Sequence, residues 1–304
     1  MAVKTVQAII NGVTTTLTYN SSNGKYEATV TAPSTSSYNN NDGHYYPVTI
    51  KAIDDAGNVT AKDDADSTLG ASLRLTVREK VAPVISITAP TASALITNNT
   101  PTITFTVTDD DSGVNPDTIG VTIDNGSKVT GSAISKTAIS GGYSCSYTPS
   151  ASLSDGSHTV KVYASDNDGN AATQKSVTFK IDTVPPTLSV TTPVEGTITN
   201  NASVTVSGAT NDATSSPVTV TVKLNSGKAE TVSVNSDGSF SKVLTLASGV
   251  NTITVVATDS AGKSTTVTRT ITLDTGAPVI HSVTLMPNPV DAGKTYVISV
   301  EVTD

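Results

Sequence analysis

Ala164-Ser165-Asp166-Asn167-Asp168-Gly169-Asn170 closes one strand and opens a turn, and the same phrase stands twice more in the chain. It reads Ala52-Ile53-Asp54-Asp55-Ala56-Gly57-Asn58 nearer the amino terminus and Ala257-Thr258-Asp259-Ser260-Ala261-Gly262-Lys263 nearer the carboxyl terminus. Each copy ends an alternating apolar trio: Val48/Ile50/Ala52, Val160/Val162/Ala164 and Ile253/Val255/Ala257. Side chains alternate across a strand, so each trio lies on one half-buried face. The Asp/Asn/Gly run then supplies the positive-φ residues of a tight hairpin. Recurrence of the whole phrase marks a tandem repeat.

Working outward, each copy leads through another strand into a proline junction. These junctions are Glu79-Lys80-Val81-Ala82-Pro83, Asp182-Thr183-Val184-Pro185-Pro186 and Asp274-Thr275-Gly276-Ala277-Pro278. An acid sits four residues before the last proline each time. Proline limits φ and cannot donate to a ladder, which suits a stiff connector at a strand start. Pro83 to Asp109, Pro186 to Asp212 and Pro278 to Asp304 each span 26 positions, room for a pair of strands. Turns at Asn225-Ser226-Gly227 and Asn235-Ser236-Asp237-Gly238 separate further alternating runs. About seven short strands per roughly 90–100 residues predict an immunoglobulin-like sandwich.

The predicted fold is therefore all-β, a set of tandem immunoglobulin-like β-sandwiches in an elongated array with partial units at both ends. Residues 1–80 read as a unit lacking strands A and B, because Ile10-Asn11-Gly12 aligns with Leu224-Asn225-Ser226-Gly227. Residues 81–183 and 184–275 read as full domains, and 276–304 as strands A and B alone. Two strands by themselves are marginal in water, and a sheet missing strands leaves open edges. Two outcomes are expected from this: strand donation between copies, or a first unit closed by its own loops at 39–43 and 62–70.

Composition narrows the function. Charged residues are 14 % of the 304 and the net charge is −8, which excludes a nucleic-acid or anionic-membrane partner that needs clustered Lys and Arg. No apolar run approaches the roughly 20 residues of a membrane span. The first ten residues alternate and hold no apolar stretch of the length a secretory leader uses, so no signal peptide is read here. Threonine fills roughly one position in six, which suits strands. The single cysteine, Cys145, flanked by Tyr143 and Tyr147 in an alternating run, reads as core. Aromatics are 4 % with no Trp, which argues against the aromatic platforms of a glycoside-cleaving cleft. His44, His158 and His281 fall in different repeats, without a zinc or triad spacing. His158 reads as a turn-edge residue. No enzyme is expected.

Acids gather where sandwich topology brings strand ends together. Glu79 is expected near Asp109, Asp110, Asp111, Asp166 and Asp168; Asp182 near Asp212 and Asp259; Asp274 near Asp304. Converging carboxylates repel unless a cation sits among them, and Ca²⁺ takes about 6–8 oxygen ligands. Either Ca²⁺ sits at the junctions, the one cofactor these residues suggest, or the acids are ordinary solvated turn residues that need no metal. Asp166-Asn167-Asp168-Gly169-Asn170 is similar to the start of an EF-hand loop, but Val177 stands where that loop needs Glu. A second candidate site is the polar-aromatic patch of Tyr38, His44, Tyr45 and Tyr46, a composition typical of adaptable binding surfaces.

With Ile181-Asp182-Thr183-Val184-Pro185-Pro186, Asp155-Gly156-Ser157-His158-Thr159-Val160 and the Asp166 turn in hand, the chain resembles bacterial immunoglobulin-like (Big) repeats. Such repeats occur in adhesins, S-layer and cell-wall proteins, and phage tail or virion proteins. In some adhesins of the type, junction aspartates bind Ca²⁺; Glu79, Asp182 and Asp274 stand at those positions, Glu79 as a departure. The resemblance implies a non-catalytic structural or display protein of a phage tail or phage-tail-like particle that aids host-surface attachment. Asn288-Pro289-Val290-Asp291-Ala292-Gly293 is similar to a segment of phage-tail-associated proteins. The alternative it implies is a section of a bacterial surface adhesin or strand-donating filament. Implied partners are other virion or tail proteins, copies of the chain, or host glycan and cell wall. The implied location is the virion or the cell surface.

Overall fold

The computed structural model describes residues 2–304. Strands dominate, and helical turns are confined to two short 3-10 segments among the described residues, Gly70–Leu73 and Gly131–Ala133. The chain divides into two compact units, one ending at Ile181 and one running Asp182–Asp304. Strands begin at Val84, Thr187 and Val279, each one residue after a junction proline.

The first unit contains a two-sheet sandwich. One sheet orders Val114–Ile123, Gly156–Asp166, Lys175–Ile181 and Leu95–Ile96; the other orders Ser135–Ile139, Gly142–Tyr147, Ile103–Thr108 and Val84–Ala89. Period-2 alternation is visible in burial: Ile103, Phe105 and Val107 point inward and Thr104 and Thr106 outward. Phe105 faces Cys145 across the ladder, and both join Val160, Val162 and Phe179 in one core. Full burial of such side chains contributes about 1.5–3 kcal/mol each. His158 departs from the turn-edge expectation. It lies buried within Gly156–Asp166, because its ring is fully engaged with Asp124 and the Ser154 carbonyl.

Ahead of this sandwich lies a single sheet ordered Lys25–Glu27, Val13–Asn20, Val3–Ile10, Tyr46–Asp54 and Val59–Lys62, with Arg74–Leu75 also paired to Tyr46–Asp54. Its loop reaches the sandwich through the Ser36 N–H, which donates to both Asp111 carboxylate oxygens at 2.9 Å. Asn39 Nδ2 adds a bond to the Asp111 carbonyl at 2.6 Å.

The second unit repeats the design. Thr187–Thr192, Ser203–Asn211 and Ser239–Thr245 form one sheet, and Thr197–Thr199, Ser264–Leu273, Gly249–Thr258, Thr219–Leu224 and Glu230–Val232 the other. Leu95–Ile96 and Thr197–Thr199 play the same part, each running parallel to the last strand of its sandwich. Gly208 is required where its two neighbouring strands crowd it: a methyl there would strike the Ser189 carbonyl and the Phe240 ring. The unit ends in a hairpin of Val279–Met286 and Val297–Thr303, all of whose residues are exposed.

Candidate metal centre

Strand ends place two groups of three carboxylates. In the first unit Asp109 follows Ile103–Thr108, Asp166 ends Gly156–Asp166, and Glu79 lies in the segment before Val84–Ala89. One oxygen from each lies within 4.8 Å of the others. Turn geometry holds them. Asp109 Oδ1 accepts the N–H groups of Asp111 at 3.2 Å and Gly113 at 2.7 Å. Glu79 Oε1 accepts the Ser112 N–H at 2.7 Å. Asp166 accepts the Asn170 N–H and side-chain amide, each at 2.7 Å. A cavity of about 390 Å³ beside the group is lined by Glu79, Asp109, Asp110 and Asp111. Asp168 stands next to it, its Oδ2 taking the Glu79 N–H at 3.0 Å.

In the second unit Asp182, Asp212 and Asp259 come together within the same 4.8 Å limit. They are 1 %, 9 % and 6 % exposed. Asp212 Oδ1 accepts the N–H groups of Thr214 and Ser215 at 2.8 and 2.7 Å. The Ser215 hydroxyl donates to Asp182 Oδ2 and lies 3.3 Å from Asp212 Oδ1. Asp259 Oδ1 accepts the Lys263 N–H at 2.9 Å, while its Oδ2 is buried without a hydrogen-bond partner.

Ion pairs among the described residues join Lys62 to Asp66 and Lys242 to Glu230, and His158 joins Asp124 when its ring is protonated; none of them reaches either group. Two like charges 4.8 Å apart repel by about 3–4 kcal/mol at an effective dielectric of about 20. A hard cation answers that repulsion. Two oxygens each about 2.4 Å from one Ca²⁺ lie no more than about 4.8 Å apart, so the spacing fits. The donor set is all oxygen, as Ca²⁺ prefers over softer metals. The orphaned Asp259 oxygen fits the same reading.

The remaining candidates fall elsewhere. Asp110 is exposed at the cavity rim, and Asp111 is engaged by Ser36. Asp274 accepts the Gly276 N–H at 2.9 Å, and neither it nor Asp304 joins a group of three. In the aromatic patch, Tyr38 stacks on His44 with centroids 4.0 Å apart, His44 holding a positive φ of 58°. Tyr45 donates its hydroxyl to Asp64 at 2.8 Å beneath Arg74. Tyr46 is buried, its hydroxyl 2.7 Å from Thr35 Oγ1, so it offers no surface. Sequence reasoning passed over Ser112 and Ser215. Both are buried and both stand three residues after a cluster aspartate, a repeated Asp-x-x-Ser that was there to find.

Comparison with known proteins agrees with this architecture. Residues 84–183 match the model of the bacterial Ig-like domain, and 186–275 that of glucodextranase domain B. A stretch of 128 residues is 34 % identical to Bacillopeptidase F of Bacillus subtilis (strain 168). It covers 42 % of this chain and 8 % of that protein. Similar solved structures include Sidekick-1 immunoglobulin domains 1–5, at 14 % identity and TM-score 0.40 over 99 % of this chain and 60 % of that one. A bacterial ice-binding adhesin matches at 19 % identity and TM-score 0.33, over 90 % and 87 % of the two chains. Among the described residues no helix is long and apolar enough to cross a membrane. The chain is an all-β protein of tandem immunoglobulin-like repeats, and its residues 84–183 match the bacterial Ig-like domain model.

Proposed function

We propose that the chain is a non-catalytic display section of an outer-surface assembly, with divalent cations held at its carboxylate groups. The observation that carries this reading is the recurrence of a carboxylate triad at equivalent strand ends of successive sandwiches. A catalytic pair is built once, around a substrate; a site repeated in both sandwiches serves the sandwich. On this reading the chain belongs to a phage tail or phage-tail-like particle, beside other tail proteins or copies of itself. The patch of Tyr38, His44 and Tyr45 meets host glycan or cell wall there, weak contacts made useful by multivalency. Calcium is the cation, held by Glu79, Asp109 and Asp166 and by Asp182, Asp212 and Asp259.

A second carrier is a bacterial cell-surface adhesin, which the match of residues 84–183 to the bacterial Ig-like domain model also suits. Immunoblotting of fractions from the source culture separates the two. Signal in gradient-purified particles supports the tail reading, and signal in the cell-wall fraction supports the adhesin. Signal confined to the soluble cell interior overturns both.

A further inference from the structure

We infer that the two carboxylate groups load unequally, the Asp182–Asp212–Asp259 group binding a hard divalent cation the more tightly, and that the residue four places after each turn aspartate sets the difference. This rests on the cation reading above and adds a ranking to it. The turn occurs three times, and its fourth residue differs. At Asp54, Asn58 donates its N–H to Oδ1 at 2.9 Å and its side-chain amide to Oδ2 at 2.8 Å. At Asp166, Asn170 does the same, both at 2.7 Å. At Asp259 the residue is Lys263, which donates its N–H alone.

The consequence is chemical. Asn58 and Asn170 each occupy both carboxylate oxygens with N–H groups. The Asn58 side chain, with its N–H, holds Asp54 below the usual carboxylate range, the mark of a well-solvated anion. Asn170 is fixed further by a 3.3 Å bond to the Glu79 carbonyl. A cation in the first group must share Asp166 with those protons. Asp259 is 6 % exposed and its Oδ2 has no partner. A buried anionic oxygen without a donor is unfavourable, and a cation supplies the missing charge. Ser215 adds a neutral oxygen: its hydroxyl now points its proton at Asp182, and rotation turns a lone pair toward the ion instead. Its counterpart Ser112 gives Glu79 a backbone N–H, and its own buried hydroxyl lacks a partner too, but that oxygen is neutral where the orphaned Asp259 oxygen is anionic.

Calorimetric titration of the chelator-stripped full chain with Ca²⁺ tests this. Two binding phases are expected, separated by about tenfold or more in affinity, the size of one lost charge-assisted hydrogen bond. Asp259→Asn should abolish the tight phase and Asp166→Asn should spare it. Lys263→Asn keeps every carboxylate and should weaken the tight phase by about tenfold, so the test survives a misfolded Asp259→Asn. Survival of the tight phase in Asp259→Asn, or its loss in Asp166→Asn, overturns the ranking. So does Lys263→Asn with an unchanged or tighter phase; the tighter result means the Lys263 ammonium itself neutralises Asp259. Two equal phases overturn the ranking and leave the cation reading standing. No binding at all removes both.

Discussion

His158 Nδ1 lies 2.6 Å from Asp124 Oδ2, a polar contact inside a strand whose next inward residues, Val160, Val162 and Ala164, are apolar. The ring's Nε2 is 2.7 Å from the Ser154 carbonyl, and Asp124 Oδ1 takes the Thr159 N–H at 2.8 Å. The next sandwich builds the same latch from neutral groups. Asn251, fully buried, donates to the Ala247 carbonyl at 2.7 Å and accepts from Asn225 at 3.0 Å; Asn225 Oδ1 takes the Thr252 N–H at 2.7 Å. Asp124 and Asn225 share a positive φ, 51° and 50°. One repeat thus closes its loop with an imidazole on a carboxylate and the next with two amides.

Exchange of the latch is the first prediction. His158→Asn alone, or Asp124→Asn alone, leaves a mismatched buried group and should cost about 1–3 kcal/mol. The double variant copies the Asn251–Asn225 pair and should recover a large part of that loss. Urea unfolding of the three variants measures the coupling. Strictly additive losses would mean that the two latches are not equivalent.

A pH dependence follows from the same contact. Burial alone would lower the His158 pKa, but the Asp124 hydrogen bond, the Ser154 carbonyl and the Asp124 charge together raise it above the ordinary value. A pKa raised on folding means that the native state binds the proton more tightly than the unfolded chain. The added stability is complete below about pH 6.5, the unfolded value, and is lost as pH rises through the folded one. Wild type should therefore lose stability on going from acidic to alkaline pH across that window, and Asp124→Asn should flatten the change. NMR titration of the His158 ring checks it, and a pKa at or below the unfolded value contradicts it.

Cys145 gives a third prediction. Burial pushes its thiol up to about 11, Lys136 offsetting a little. The thiolate is the reactive form, so native protein at pH 8 should resist an aromatic disulfide reagent and react fully once denatured. Rapid labelling of the native chain would place the thiol outside the core.

Packing supplies the fourth. Phe105 is 1 % exposed in the first core, and Phe105→Ala should cost about 3–5 kcal/mol. Val243 is 61 % exposed, and Val243→Ala should stay within about 0.5 kcal/mol. Denaturant midpoints of the two variants compare them, and similar values would contradict the burial pattern.

Much of the fold is legible in the residues. Val160/Val162/Ala164 alternate because one sheet face is dry, and Pro83 stands just before a strand because it has no N–H to give the ladder. Where Asp109 and Asp166 lie follows from strand ends at one edge of a sandwich. What alternation does not carry is the fate of a polar residue in an inward position. His158 sits at such a position, and nothing near it in sequence reveals that Asp124, 34 residues away, will satisfy its ring. Ser112 and Ser215 are hidden for the same reason: small polar residues after an aspartate read as solvated turn. Tyr46 looks like its neighbour Tyr45 in sequence, but Tyr46 opens a strand and is buried while Tyr45 lies in the bend before it, half-buried.

Thermal unfolding of the full chain in saturating Ca²⁺ and in excess chelator tests cation binding most directly. Ligand at about 100 times its Kd stabilises by about 2.7 kcal/mol, so the midpoint in Ca²⁺ should lie about 5 °C or more above that in chelator. Coincident curves in the two buffers would contradict the account.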